Sequence, residues 1–353
     1  MHFESRRRFF KATGAIALAF ARPGLLRAAS DVPIADAHSH IGMFSSKLSG
    51  SSLKALMQDS GVTLLSWNIV GDSRWTRRTG FGIVQRSVPA KGEQASYFRE
   101  KLDATRKYLA HIGLAYVQQP SDIEAARSGV PHVVIAVEGA GFAADSLALV
   151  NQAHGDGLRH LQLVHYIRNA LGDFQTERPE HDGMTALGID VVKLCNRLGI
   201  LVDLAHATNP GIDKALEVST VPMIWSHSGI SSTQYDWRQS SNLSRRLYID
   251  YARKIAQRGG AVGLWSLQSS VGSSPAGYAD ELLRMADAIG PEHVMFGTDL
   301  DGVGRFGVMD QLGDLRQVAD LLRQRGVDDK TLKAICFDNY ARCLQGAMLA
   351  RQA

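Results

Sequence analysis

Eight short β-rich runs alternate with helical patterns along this chain, and that alternation restricts the fold more than any other feature. The runs lie near 32–37, 62–69, 133–137, 159–164, 200–205, 222–226, 261–266 and 293–298. Several, such as VVIAV and ILVDL, are apolar throughout, as strands covered on both faces are. Helical periodicity occupies 92–111, 143–153, 184–198, 208–217, 249–258 and 279–289, with a further helical region from about 312 onward. Eight strands with intervening helices predict an α/β fold, a (β/α)8 TIM-type barrel. A doubly wound open sheet is the competing arrangement, but no glycine-rich phosphate loop follows an early strand here. The segment 71–91, GDSRWTRRTGFGIVQRSVPAK, mixes glycine, arginine and aromatic residues without periodicity. Its length marks it as a lid or binding loop, or as a solvated insertion.

The formal net charge of +4 is concentrated at one end. Residues 1–29 hold six Lys/Arg against one acid, a surplus of five, so the rest of the chain sums to −1. No nucleic-acid footprint survives that subtraction. Ser5-Arg6-Arg7-Arg8-Phe9-Phe10-Lys11 resembles the twin-arginine pattern and precedes an apolar stretch from Ala12 to Ala21. That stretch is about half of the roughly 20 residues a membrane-spanning helix needs. Residues 1–29 therefore read as a twin-arginine-type export signal, and 30–353 as the barrel. A periplasmic or otherwise exported location follows, with no stable membrane span in the mature protein. The three cysteines, Cys195, Cys336 and Cys343, have no zinc-type spacing, and Cys195 falls in the apolar-periodic VVKLCNRLG. Helix packing is its expected role.

Five of the apolar runs end in residues able to bind divalent metal. IADAHSH ends at His38 and His40, VVIAVEG carries Glu138, ILVDLAH ends at His206, PMIWSH at His227 and VMFGTD at Asp299. Strand C-termini form the face on which barrel enzymes place their sites. Residues two apart in a strand point the same way, so His38 and His40 can face one ion. Asp36 is positioned to orient one of these imidazoles from behind. Glu138 follows five apolar residues, where an unpaired charge would be costly, and its two oxygens allow it to bridge two ions. With His206 and His227 it forms a two-histidine, one-carboxylate set suited to zinc with a position open to water. Asp299 can bind metal, accept a proton, or both, whereas Asp301 reads as a loop residue. Taken singly, His206 or His227 reads equally as a satisfied core histidine, and Glu138 has the alternative of pairing with an arginine or a helix N-terminus.

Together these segments resemble the membrane dipeptidase (renal dipeptidase) family of amidohydrolase-type metal barrels. The resemblance rests on DAHSH, VEGA, LRHLQLVHYIRNALGDFQT, DGMTALGIDVVKLCNRLGILVDLAHAT, IWSHS and GTDLDGVG, and is weakest over 71–120 and 266–290. It implies two zinc ions. One would take His38, the position held by His40, and Glu138; the other would take Glu138, His206 and His227, with a hydroxide bridging both. Cobalt, manganese or iron suits the same donors. Asp299 matches the family's active-site aspartate and His165, in LVHYIRN, its substrate-contacting histidine. An arginine after the second metal histidine holds the substrate carboxylate in the family; Arg238, Arg245 and Arg246 compete for that role here, and the alignment of RRLYIDYARKI favours Arg245. Tyr166, Asn169 and Asp173 are wall or loop-fixing residues. His40 departs from the family, which usually has aspartate there. One negative charge is thereby lost, which would weaken the first ion's hold or alter the bridging hydroxide.

The function implied is zinc-dependent hydrolysis of dipeptides, including ones with a C-terminal D-residue. The hydroxide would attack the carbonyl carbon, His165 would stabilise the oxyanion, and Asp299 would act as general base and then acid. The expected partner is a small dipeptide, with a homodimer allowed. The alternatives are another amidohydrolase reaction, on an N-acyl amino acid, lactone or β-lactam, or a non-catalytic exported binding protein. The last would not need every ligand position filled with a competent residue.

Overall fold

The computed structural model describes residues 32–351 apart from Phe81, so the expected leader over residues 1–29 lies outside the described residues. Eight parallel strands follow one another around a nearly closed barrel. They are β1 Ile34–Ser39, β2 Val62–Val70, β3 His132–Glu138, β4 Leu158–Gln162, β5 Leu201–Asp203, β6 Ile224–Ser228, β7 Ala261–Leu264 and β8 Val294–Phe296. Each pairs in parallel with the next. The seam between β8 and β1 is joined just past the strand ends. There Asp299 N–H donates to His38 O at 2.9 Å and His40 N–H to Leu300 O at 2.8 Å. A two-residue strand, Ala115–Tyr116, pairs with the start of β3 off this path.

Parallel neighbours need crossover connections, and helices supply them. The expected helices appear as Glu93–His111, Ala148–Gly155, Ala186–Leu198, Asn209–Val218, Ile249–Gln257 and Pro275–Ile289. Two more, Leu53–Ser60 and Pro120–Arg127, precede β2 and β3. The first is capped by Ser52, whose hydroxyl accepts from Ala55 N–H at 3.2 Å, and ends at Gly61 in left-handed backbone. The C-terminal region divides into Gly313–Gln324, Asp329–Lys333, a π turn Ala334–Asp338, and Asn339–Ala350. Its Phe337, Tyr340, Ala341 and Leu344 share one buried cluster with Ala35, Leu64, Val134, Leu201, Ile224 and Met295. These strand residues lie near the N-terminal ends, so the last helices plug the barrel's floor. Cys195 is buried in its helix as expected, and Cys336 and Cys343 are buried and free.

Higher in the barrel the backbones come close together. A Cβ on Gly263 or Gly297 would stand 1.8 or 1.7 Å from Ser226 O, which no side chain allows. Above them the segment after β2 is more ordered than its composition implies. It forms a 3-10 turn, Ser73–Trp75, and an antiparallel hairpin of Thr76–Thr79 with Gly82–Gln85. Arg78 donates to Gly302 O at 3.3 Å, and Gln85 Oε1 accepts from Arg168 N–H at 3.2 Å. The hairpin is therefore tied to the loops beyond β8 and β4. It walls the barrel mouth, the binding-loop alternative, and is not a detached insertion.

Candidate metal centre

All five strand ends converge. His38 lies in β1, with His40 one residue past it; Glu138 ends β3, His206 follows β5, His227 lies in β6 and Asp299 follows β8. Each of these six side chains belongs to a residue no more than 5% exposed. His206 and Asp299 hold left-handed backbone, with φ of +69° and +54°. That conformation costs a non-glycine residue about 1–3 kcal/mol and persists where surrounding contacts over-determine it, commonly at functional sites.

The Glu138 carboxylate sits among the imidazoles. Its Oε1 lies 3.5 Å from His38 Nε2, 3.3 Å from His206 Nε2 and 3.5 Å from His227 Nε2; its Oε2 lies 3.2 Å from His40 Nε2. His38 and His40 bring their Nε2 atoms to 3.1 Å, and His206 and His227 to 3.3 Å. Asp299 Oδ1 stands 3.5 Å from His40 Nε2. Four donors around zinc at about 2.0–2.1 Å define a tetrahedron with edges of roughly 3.3 Å. The separations here are edges of that size, arranged on two sides of one carboxylate. Among the described residues three groups could hold an ion: His38, His40 and Asp299 on one side, Glu138, His206 and His227 on the other, and His38, Asp203 and His227 across them.

Protonation favours the same use in three of the four imidazoles and in Glu138. Burial, first of all, holds His38, His206 and His227 well below the usual imidazole range, so they stay neutral, as ligands must be. Burial would raise Glu138, but His165 and the other imidazoles overturn it and keep the group ionised. Burial would lower His40, yet Glu138 and Asp299 lift it to about 9, so an ion binding there would have to displace a proton. Asp299 is pushed up to about 6, chiefly by burial and against the pull of His40.

The imidazoles are aimed by partners that sequence reasoning missed. His40 Nδ1 lies 2.8 Å from the carbonyl of Asn68, which can only accept, so Nδ1 carries a proton and Nε2 is the atom turned toward the carboxylates. His38 Nδ1 lies 3.0 Å from the Asn68 amide and 3.1 Å from Ser226 Oγ, which also sits 2.8 Å from His227 Nδ1. Asp36, expected to orient an imidazole, reaches neither. Its oxygens take Thr298 N–H at 2.9 Å, Thr298 Oγ1–H at 2.6 Å and His38 N–H at 3.3 Å, so it pins the β8 end to β1 by backbone. A polar pair at Ser66 and Asn68 within the apolar run LLSWNIV was the available signal for an inward-facing clamp.

His165 points its Nε2 at Glu138 Oε2, 3.3 Å away. Its Nδ1 is held at 2.7 Å by Asp72, whose other oxygen accepts Tyr166 N–H at 2.9 Å. Burial would lower His165, but Asp72 and Glu138 outweigh it and raise it. Asp72 lies in the unpatterned segment and is another residue sequence reasoning passed over.

The three arginines separate cleanly. Arg245 is 8% exposed, donates to Tyr166 Oη at 2.9 Å and to His227 Nε2 at 2.6 Å, and stacks 4.6 Å from the Trp265 ring. Arg238 is exposed and pairs with Asp236 at 2.6 Å, while Arg246 turns away to Ser269 O. Asn169 and Asp173 fix their loop, the latter by accepting from Glu180, His181 and Gly183 N–H. Asp301 is a loop residue too, bonded to Gly42 N–H, Ser45 and Lys47. A cavity of about 340 Å³ joins His40, Glu138, His165, Arg245 and Asp299 beneath the hairpin.

Comparison with known proteins places this geometry. Dipeptidase verJ of Clonostachys rogersoniana is 31% identical over 245 residues, 67% of this chain and 61% of that protein. Dipeptidase 3 of Mus musculus is 28% identical over 229 residues, 62% of this chain and 45% of that one. The chain spans about half the length of the curated relatives it matches. Among solved structures, the fold is shared with dipeptidase AC, a metallopeptidase of family M19, at TM-score 0.75 and 19% identity, covering 90% of this chain and 99% of that one. It is shared also with a metallopeptidase from Rhodobacter sphaeroides liganded with a phosphinate mimic of the dipeptide L-Ala-D-Ala, at TM-score 0.72, 19% identity and the same coverage. The family profile described as membrane dipeptidase, peptidase family M19, matches residues 31–353. With a parallel barrel, a buried histidine–carboxylate centre at its mouth and that match over nearly the whole length, the chain belongs to the membrane dipeptidase family, peptidase family M19.

Proposed function

We propose that this protein is a metal-dependent dipeptidase that cleaves the peptide bond of free dipeptides, including those with a C-terminal D-residue, at a two-zinc centre. The observation that carries the reading is Glu138 between two imidazole pairs at ligand-edge separations. His38, His40, Glu138 and Asp299 would hold one ion and Glu138, His206 and His227 the other. When bound, such ions supply Lewis acidity and lower the pKa of water.

The chain's own groups do the rest. Arg245, fixed between Tyr166 and Trp265, offers a planar fork to the substrate's free carboxylate. His165, whose hold on a proton Asp72 and Glu138 strengthen against burial, turns Nε2 toward the developing oxyanion. Asp299, with its proton affinity pushed up to about 6, takes a proton from the attacking water and returns it to the leaving amine. The hairpin roof and the small cavity limit substrate length. The phosphinate dipeptide bound by the Rhodobacter sphaeroides protein supports testing an L,D-dipeptide first.

A library of L,L- and L,D-dipeptides, assayed beside N-acyl amino acids, lactones and a penem, tests the reading. Dipeptide turnover is expected; activity confined to the other compounds would replace it with the alternative amidohydrolase reaction. The export reading rests on the sequence of residues 1–29, and among the described residues no helix is long and apolar enough to cross a membrane. Secretion should stop in a host lacking twin-arginine transport, and continued export there would contradict it.

A further inference from the structure

We infer that the two metal positions are unequal, with the ion on the His38–His40 side held more tightly than the ion on the His206–His227 side. This rests on the two-ion reading above. Replacing the family's aspartate with His40 points the other way, since it removes a negative charge from the first position. The surroundings of the two imidazole pairs reverse that expectation.

The first pair is clamped from behind. Asn68, fully buried, serves both of its rings: the backbone carbonyl takes His40 Nδ1 at 2.8 Å, and the side-chain amide meets His38 Nδ1 at 3.0 Å. Ser226 adds a contact to His38 Nδ1 at 3.1 Å. The amide of Asn68 is itself set by Ser66 Oγ at 2.9 Å. The amide nitrogen faces His38 Nδ1 and the amide oxygen accepts from Ser66; a half-turn of the amide would bring its oxygen to Nδ1, which would then carry the proton and leave Nε2 bare for an ion. Asp299, 3.5 Å from His40 Nε2, keeps a second carboxylate beside Glu138 on that side.

The second pair is less well fixed, although Ser226 Oγ also meets His227 Nδ1, at 2.8 Å. His206 Nδ1 is buried with no hydrogen-bond partner among the described residues, so its ring is held by packing and by a strained backbone. His227 shares its nearest neighbour with a cation, because Arg245 Nη2 lies 2.6 Å from His227 Nε2, the atom an ion would take. A fixed positive charge there opposes a second one. Partners behind ligating histidines change metal affinity by about 10- to 100-fold, enough to split the two positions.

The test is a Zn²⁺ titration of the stripped full-length protein against a chromophoric chelator, which reads metal binding without activity. Two phases are expected, separated by at least about tenfold. His206→Ala should abolish the weak phase and leave the tight one; Arg245→Gln should tighten the weak phase. Asn68→Ala should weaken the tight phase, and Asn68→Asp, which keeps an acceptor oxygen, should restore it. Two ions bound in one phase of equal affinity would overturn the inference while sparing the two-ion reading. So would loss of the tight phase in His206→Ala. No binding at all would overturn both.

Discussion

Arg245 is the residue at which sequence and structure divide the labour most visibly. Three arginines follow His227, and nothing in their order says which one turns inward. Burial against Trp265 and a hydrogen bond to Tyr166 answer that. Arg245→Ala should raise KM more for free-carboxylate dipeptides than for their amides, as steady-state kinetics will show; equal effects would remove its anchoring role. For His165, whose Nε2 faces the reacting centre, His165→Ala should lower kcat by about 10²- to 10³-fold, the usual loss of one oxyanion donor. Metal content measured on the same sample should be unchanged. A parallel loss of bound metal would make His165 a ligand.

At the level of elements, the strands were readable because both faces of a parallel sheet are covered, which writes continuous apolar runs. Their ends were readable for the same reason, since a histidine or carboxylate after such a run stands out. The helices Leu53–Ser60 and Pro120–Arg127 were not, each having only eight residues and two buried positions, too few to set a period. The Thr76–Gln85 hairpin carries no run of buried side chains, so nothing in it alternates. Asn68, Ser226 and Asp72 escaped because a clamp is defined by its partner across the barrel, and spacing along the chain does not reveal it. Gly263 belongs to the barrel's tightest layer. Gly263→Ala should destabilise the fold by at least about 1–3 kcal/mol, read from the denaturant midpoint, because the obstructing atom is backbone. Beneath the barrel, burial and then Arg159 and Arg351 depress His154 to about 4. Its folded form stays neutral where the unfolded chain takes up a proton, so it contributes stability above about pH 6.5 that is lost as pH falls toward 4. His154→Gln should flatten that part of the pH–stability curve.

For the whole molecule, the barrel acts as a frame that brings the candidate ligands after or within β1, β3, β5, β6 and β8 to one point, over a floor sealed by the C-terminal helices. Groups so far apart in sequence meet only in the folded chain, so metal bound there would be coupled to folding. Metal at a hundredfold excess over its dissociation constant should add about 2.7 kcal/mol per site, visible as a rise in Tm that chelation reverses. The most direct test of the central claim is dipeptide hydrolysis by the stripped protein as Zn²⁺ is returned to it. The account predicts negligible turnover without metal and a rate that climbs to saturation as the Glu138-centred site fills. A rate indifferent to stripping, or a fully reloaded protein that leaves every dipeptide intact, would contradict it.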